Sequence, residues 1–165
     1  MAVLRLDNAS WGFPTNCYVC EPSNPAGLRI PFSHDDQAGL VFAEFTLGGA
    51  FSGAPRYIHG GVVLAVLDEA MAWAAIAVAG RFAVVRDTWA TFGHPVRVGA
   101  PHRVEGAVED HDEAWVLARG RVIDGSGRRC AEARARLVVL SAPAARSAIG
   151  EVSEEHARYL RPPRA

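Results

Sequence analysis

The chain has 165 residues, half of them hydrophobic, which suits one domain with a proper apolar core. Seventeen basic residues against eighteen acidic ones leave a net charge of −1, excluding a global field that would attract nucleic acid or anionic lipid. The expected partner is a small molecule or a second copy of the chain.

The opening MAVLRLDNASWGFP has no basic segment leading into a long apolar run. Asp7, Asn8, Trp11 and Pro14 interrupt any such reading, and an unprocessed, cytoplasmic chain is predicted. The segment NCYVCEPSNPAGLRIPF is punctuated by Pro22, Pro25 and Gly27. It reads as a lead-in loop running into a strand near Leu28 to Phe32. Cys17, Cys20 and Cys130 make an odd count with no secretion signal, against a disulfide framework. CYVC has the spacing of half a zinc site, but no second Cys or His pair at matching spacing follows it, leaving His34 as a recruit. The plainer reading is two small thiols in a turn.

Ala38 to Leu47 is a second strand, rich in aromatic and branched residues, and a glycine-rich loop, GGAFSGAPRY, follows. From about Gly61 to Ala79 the chain is almost wholly Ala, Val, Leu, Ile, Met and Trp. Its length and composition predict a helix stopped by Gly80. Asp68 and Glu69 sit near its centre, which favours a buried helix over a membrane span. Four strand-like segments follow: Phe82 to Phe92, His102 to Asp110, Ala114 to Asp124 and Arg129 to Leu140. In the third, Val116, Ala118, Gly120 and Val122 share one face, with Trp115, Leu117, Arg119 and Arg121 on the other. EDHDEA and DGSG are hairpin turns, too short for crossovers. The tail after Ser141 adds a short capped helix from Ser153. There is no internal repeat, and one domain is expected over residues 1–165, with its core at about 16–141.

A helix apolar on nearly every face must be covered all round. With about six strands, the predicted class is α+β: a long central helix wrapped by a curved antiparallel sheet, a second copy covering what the sheet leaves open. At the helix start, His59, Gly60 and Gly61 fall where backbone N–H groups lack helical partners, and such a terminus binds an oxyanion or carbonyl oxygen. Asp68 is eight residues beyond Gly60, about 12 Å along the axis, too far for both to touch one carbonyl. Two antiparallel helices across a two-fold axis would bring Gly60 of one copy opposite Asp68 of the other. Asp68 would then act as nucleophile or as general base. Glu69 points about 100° away and reads as a structural carboxylate held by backbone or an Arg.

GAPRYIHGGVVLAVLDEAMAWAA, with NCYVCEPSNPAGLRIPF before it and ATFGHPVRVGAPHRVEGAVED after it, resembles the hotdog-fold thioesterases of the PaaI-like, thioesterase superfamily member 4-like group. The likeness runs from about Asn16 to Leu140, and its specific part is His-Gly-Gly with an acid nine residues after the His. It implies hydrolysis of acyl-CoA or acyl-carrier-protein thioesters at a dimer interface, without metal or cofactor, often in a dimer of dimers. Carried over, Gly60 supplies the oxyanion N–H, Asp68 is nucleophile or base, and His59 and Gly61 shape the loop. The chain departs from the pattern at Val85, where many relatives place a Ser or Thr; counted along an unbroken strand, Thr91 shares its parity and Thr88 does not. Arg56 and Tyr57 also replace a small and an aliphatic residue. Arg86 and Arg97 are candidates for a CoA phosphate, and Trp73 and Trp89 read as core. His94, His102 and His111 have no metal spacing. The competing readings are a hotdog protein that binds a thioester without cleaving it, and a dehydratase or lyase.

Overall fold

The structure is a computed structural model in which residues 3–11 and 15–162 are described. Strands β1 (Val3–Leu6), β2 (Phe32–Asp35) and β3 (Leu40–Phe45) precede a two-stranded ribbon, β4 (Ser52–Ala54) with β5 (Tyr57–Ile58). Helix α1 (Gly60–Ala77) comes next, then β6 (Ala83–Phe92), β7 (His102–His111), β8 (Trp115–Asp124) and β9 (Arg129–Val139). Two short helices, α2 (Ala142–Ile149) and α3 (Glu154–Ala157), follow. The main sheet is antiparallel throughout, in the order β1-β2-β3-β7-β8-β9-β6, and α1 packs against it.

The α+β expectation of a long helix against a large antiparallel sheet therefore holds, with seven strands in the sheet rather than about six. The strand expected near Leu28 to Phe32 begins only at Phe32. Arg29 takes φ 55°, a left-handed conformation that no strand continues through, and its guanidinium is tied back to the carbonyls of Asn24 and Pro25. Leu28 and Ile30 instead donate N–H bonds to Tyr18 and Val19 of the lead-in loop. Gly80 stops α1 as expected, at φ 63°, with the Arg81 N–H reaching back to the Ala75 carbonyl at 2.8 Å. The DGSG turn closes on Asp124, whose carboxylate accepts from Ser126 and Arg128. The β4–β5 ribbon forms within the stretch read as a glycine-rich loop, and two elements elsewhere, β1 and α2, also went unforeseen. β1 is a four-residue strand with three exposed residues, and α2 carries Pro143 in its first turn.

What lets α1 lie on the sheet is a row of residues without bulk. Gly106, Gly120 and Ala133 are consecutive partners across β7, β8 and β9. A methyl group on Gly106 would run into the Ala70 carbonyl of α1, and one on Gly120 would come within 3.1 Å of Leu67 Cδ2. Larger side chains flank this groove: Val104, Val122, Val116 and Leu137 are buried beside Leu67 and Met71. The opposite sheet face carries an Arg and Glu lattice, with Glu105 bridging Arg103 at 2.8 Å and Arg121 at 2.7 Å.

The sheet covers one side of α1. The terminal segments cover part of another, where Trp11 meets Trp73 edge-on at 6.2 Å and Tyr159 at 5.2 Å. Trp73 is thus core, but Trp89 is not: it stands on the edge strand β6 and is 62% exposed. Gly106→Val is expected to destabilise the protein by about 1–3 kcal/mol or more, because the helix backbone it meets cannot give way. Gly48→Ala, where an added Cβ meets nothing within 4 Å, should change little. Thermal unfolding of the two variants measures the difference.

Candidate active site

His59 is the N-cap of α1. Its ring Nδ1 accepts the Gly61 N–H at 2.9 Å, and its carbonyl accepts from Val62 and Val63. The ring packs where side chains are absent: a Cβ on Gly61 would lie 3.1 Å from Nδ1, and one on Gly53 3.1 Å from Cδ2. The two glycines of the motif therefore differ. Gly61 is spent on the cap, while the Gly60 N–H has no partner among the described residues and stands at the positive end of the helix dipole. Gly60 opens onto a cavity of about 270 Å³ lined with Ile58, Val63, Phe92, Pro95 and Val96.

Asp68 lies farther along α1, half-buried, and has no hydrogen bond or ion pair among the described residues. Burial raises its pKa above the ordinary 3.8, and the Cys17 charge adds to this. Glu69 has a different fate. Its neighbours are the Cys17 and Cys20 thiols rather than the backbone or Arg partner expected for it, with Cys17 Sγ 3.5 Å from Oε1. Burial, then the Cys17 charge, pushes Glu69 up to about 8, while Cys17 is held down to about 5, by the Cys20 thiol first and then by backbone N–H groups.

Val85 and Arg86 are near the start of β6, away from the glycines. A β-bulge falls here: Val85 pairs with Leu137, Asp87 pairs with Arg136, and Arg86 is the extra residue. The bulge reverses the parity of everything after it. Thr88, Ala90 and Phe92, not Thr91, share the face of Val85, the face on which Leu137, Ala135, Ala133 and Ala131 of β9 are buried. Phe92 touches the start of α1, its Cε1 3.9 Å from where Gly60 would carry a Cβ. Back from Phe92 to Thr88 is about 13 Å of strand, and forward from Gly60 to Asp68 about 12 Å of helix. Thr88 is therefore about as far from the helix start as Asp68 and on the helix-facing side of β6, a hydroxyl that counting along an unbroken strand misses.

Arg97 lies by the helix start, bridged to Tyr57 through the backbone, its guanidinium carbon 6.0 Å from the Tyr57 ring centre. Arg56 and Arg97 are exposed and make no ion pair among the described residues. The structure thus brings together His59, Gly60, Gly61 and Arg97, and leaves Asp68, Val85 and Arg86 apart from them within one chain.

Residues 56–131 match the family model of the thioesterase superfamily. No curated protein matches the chain in sequence. Among solved structures, a thioesterase superfamily protein is similar with a TM-score of 0.66 and 21% identity over 71% of this chain, which spans only 57% of that protein. The PaaI protein of the E. coli phenylacetic acid degradation operon is similar at TM-score 0.58 and 17% identity, covering 62% of this chain and 74% of PaaI. So is smu.793 of Streptococcus mutans, bound to acetyl CoA, at TM-score 0.58 and 16% identity over 61% of this chain and 81% of its own. The fold is that of these structures, and the family match in sequence covers just under half of the chain. The PaaI-like resemblance read from the sequence agrees with them.

An unpartnered, half-buried carboxylate costs stability. Asp68→Asn, with no charge to desolvate, is expected to raise the unfolding midpoint at pH 7, by about 2–4 °C for each kcal/mol recovered in a chain this size. Differential scanning calorimetry of the two proteins reads the shift, and an unchanged or lower midpoint would contradict it.

Proposed function

We propose that the protein hydrolyses acyl thioesters, acyl-CoA or acyl-carrier protein, at a site shared between two copies of the chain. The observation that carries this reading is the division of labour along α1. A free N–H at Gly60 and an unpartnered carboxylate at Asp68 are the two groups that acyl transfer needs, and they lie too far apart to serve one carbonyl in one chain.

A second copy resolves the distance. Strand β6 is one of the two edges of the sheet, opposite β1, and exposes Trp89 at 62%, Phe92 at 53% and Val84 at 46%. Beside it α1 leaves Leu64, Ala65, Asp68 and Ala72 only half covered. An edge strand with unpaired backbone groups and apolar side chains favours pairing with a second strand. A two-fold axis across β6 would run the two helices antiparallel, setting Gly60 of one protomer against Asp68 of its partner.

In the resulting mechanism the thioester carbonyl oxygen accepts the Gly60 N–H. Asp68 of the partner either attacks the carbonyl carbon, expelling the thiolate and forming an anhydride that water then hydrolyses, or takes a proton from a water that attacks the carbon as the C–S bond breaks and the thiolate leaves. Removing Asp68 from water raises its pKa and makes the carboxylate a stronger base. Thr88, on the helix-facing side of β6, holds the water or the acid. Arg56 and Arg97, exposed in the segments beside the helix start, bind phosphate groups of the CoA moiety. Val85 no longer argues for a non-hydrolytic binder once the bulge supplies Thr88 in its place.

Gly60→Pro removes the proposed donor at the first helical position, where proline is well tolerated. Gly60→Pro and Asp68→Asn are each expected to abolish thiol release from an acyl-CoA panel. After mixing and exchanging the subunits, half the dimers are heterodimers with one intact site in two, so about a quarter of wild-type activity returns. Thr88→Val should lower kcat by about tenfold or more, and Val85→Thr should change little. A mixture as inactive as its parents, although subunits exchange, would contradict the shared site.

A further inference from the structure

The lead-in loop and the central helix meet in a cluster that the proposed thioester chemistry does not use. Cys17 and Cys20 flank a tight turn, and Glu69 reaches them from α1. One ligating atom from each lies within 4.8 Å of the other two, and Cys17 Sγ is 3.5 Å from Glu69 Oε1. A tetrahedral zinc ion at about 2.3 Å from sulfur and about 2.0 Å from oxygen sets an S···O edge of about 3.5 Å and an S···S edge of about 3.8 Å. The first edge is already present and the second lies within the spread of the cluster.

The turn is shaped around its sulfurs. Cys17 Sγ accepts the backbone N–H groups of Val19 at 3.4 Å and Cys20 at 3.5 Å. Cys20 Sγ accepts from the side-chain amide of Asn8 at 3.3 Å, and buried Asn8 is held in turn by Thr15 Oγ1 at 3.1 Å. Donors of this kind orient and stabilise ligating thiolates.

Charge balance points the same way. Among the described residues no Arg or His bonds to Cys17, Cys20 or Glu69, and Asp68 is the adjacent residue on α1. Three groups that can each carry negative charge have been drawn together partly out of water, an arrangement that a cation stabilises. Cys17 and Glu69 also line a cavity of about 320 Å³ with Trp73, whose indole N–H has no partner among the described residues. Three protein ligands leave a fourth tetrahedral position for a water or small ligand there.

From this geometry we infer that Cys17, Cys20 and Glu69 bind one zinc ion, with the fourth coordination position served from the Trp73 cavity. The mixed thiolate and carboxylate donors suit zinc better than calcium or magnesium. His34, on β2, is not in the cluster. The ion ties the lead-in loop to α1 one residue from Asp68. This inference stands independently of the thioesterase reading.

The test uses the untagged full-length chain, reduced, stripped of metal and reloaded with zinc or cobalt(II). One equivalent of zinc per chain should survive dialysis, and zinc should raise the unfolding midpoint. Cobalt(II) should give thiolate-to-metal charge-transfer absorption and the visible bands of a tetrahedral site. Cys17→Ser and Cys20→Ser should each weaken binding by about 100-fold and Glu69→Gln by about tenfold, while Cys130→Ser, remote from the cluster, leaves it unchanged. If a cysteine variant fails to fold, the charge-transfer band of the folded wild type still decides. No charge-transfer band at saturating cobalt with both thiols reduced overturns the site. So does zinc binding that survives loss of Cys17 and Cys20, or a Cys17–Cys20 disulfide that persists under reductant and excludes the metal.

Discussion

The closeness of α1 to the sheet is the constraint from which the rest follows. At Gly106 the helix backbone rests on the strand with no room for a methyl group, and Gly120 and Ala133 continue the clearance across the neighbouring strands. A helix seated so deep can be apolar along its whole length, because side chains of β3, β7, β8 and β9 rise on either side of it. The same seating fixes the helix start against Phe92 and Glu69 against the lead-in loop, so that positions along α1 become positions in a site.

The two adjacent acids show how burial separates roles. Asp68 and Glu69 are about 100° apart on the helix, and that rotation sends one to the uncovered face and the other under the lead-in loop. Asp68 has no partner among the described residues; Glu69 has two thiols. Each is raised in pKa by burial first, which marks both as groups whose charge the fold disfavours. Such costs tend to persist where a carboxylate has work to do.

Much of the fold was legible in the sequence because it rests on local signals. The length and apolarity of α1, its stop at Gly80, the two hairpin turns and the alternation of Val116, Ala118, Gly120 and Val122 are all written in short windows. The errors arise where a backbone event leaves no such mark. Arg29 adopts a left-handed conformation without being glycine and displaces a strand; the bulge at Arg86 turns Thr88 to the helix side and Thr91 away. Trp89 read as core because aromatic residues in strands usually are, and only the sheet order puts β6 at an edge. The partner of Glu69 was out of reach for another reason. Fifty-two residues separate it from Cys17, and no spacing rule links a loop thiol to a helix carboxylate.

The central claim is that one thioester is held between Gly60 of one protomer and Asp68 of its partner. The most direct test is a crystal structure with a non-hydrolysable acyl-CoA analogue that keeps the carbonyl and replaces the labile thioester. The account predicts the carbonyl oxygen at about 3 Å from the Gly60 N–H, with the carbonyl carbon facing the Asp68 carboxylate of the partner and Thr88 beside that carboxylate. An acyl group seated instead within one protomer, or in the Trp73 cavity away from Gly60, would contradict it.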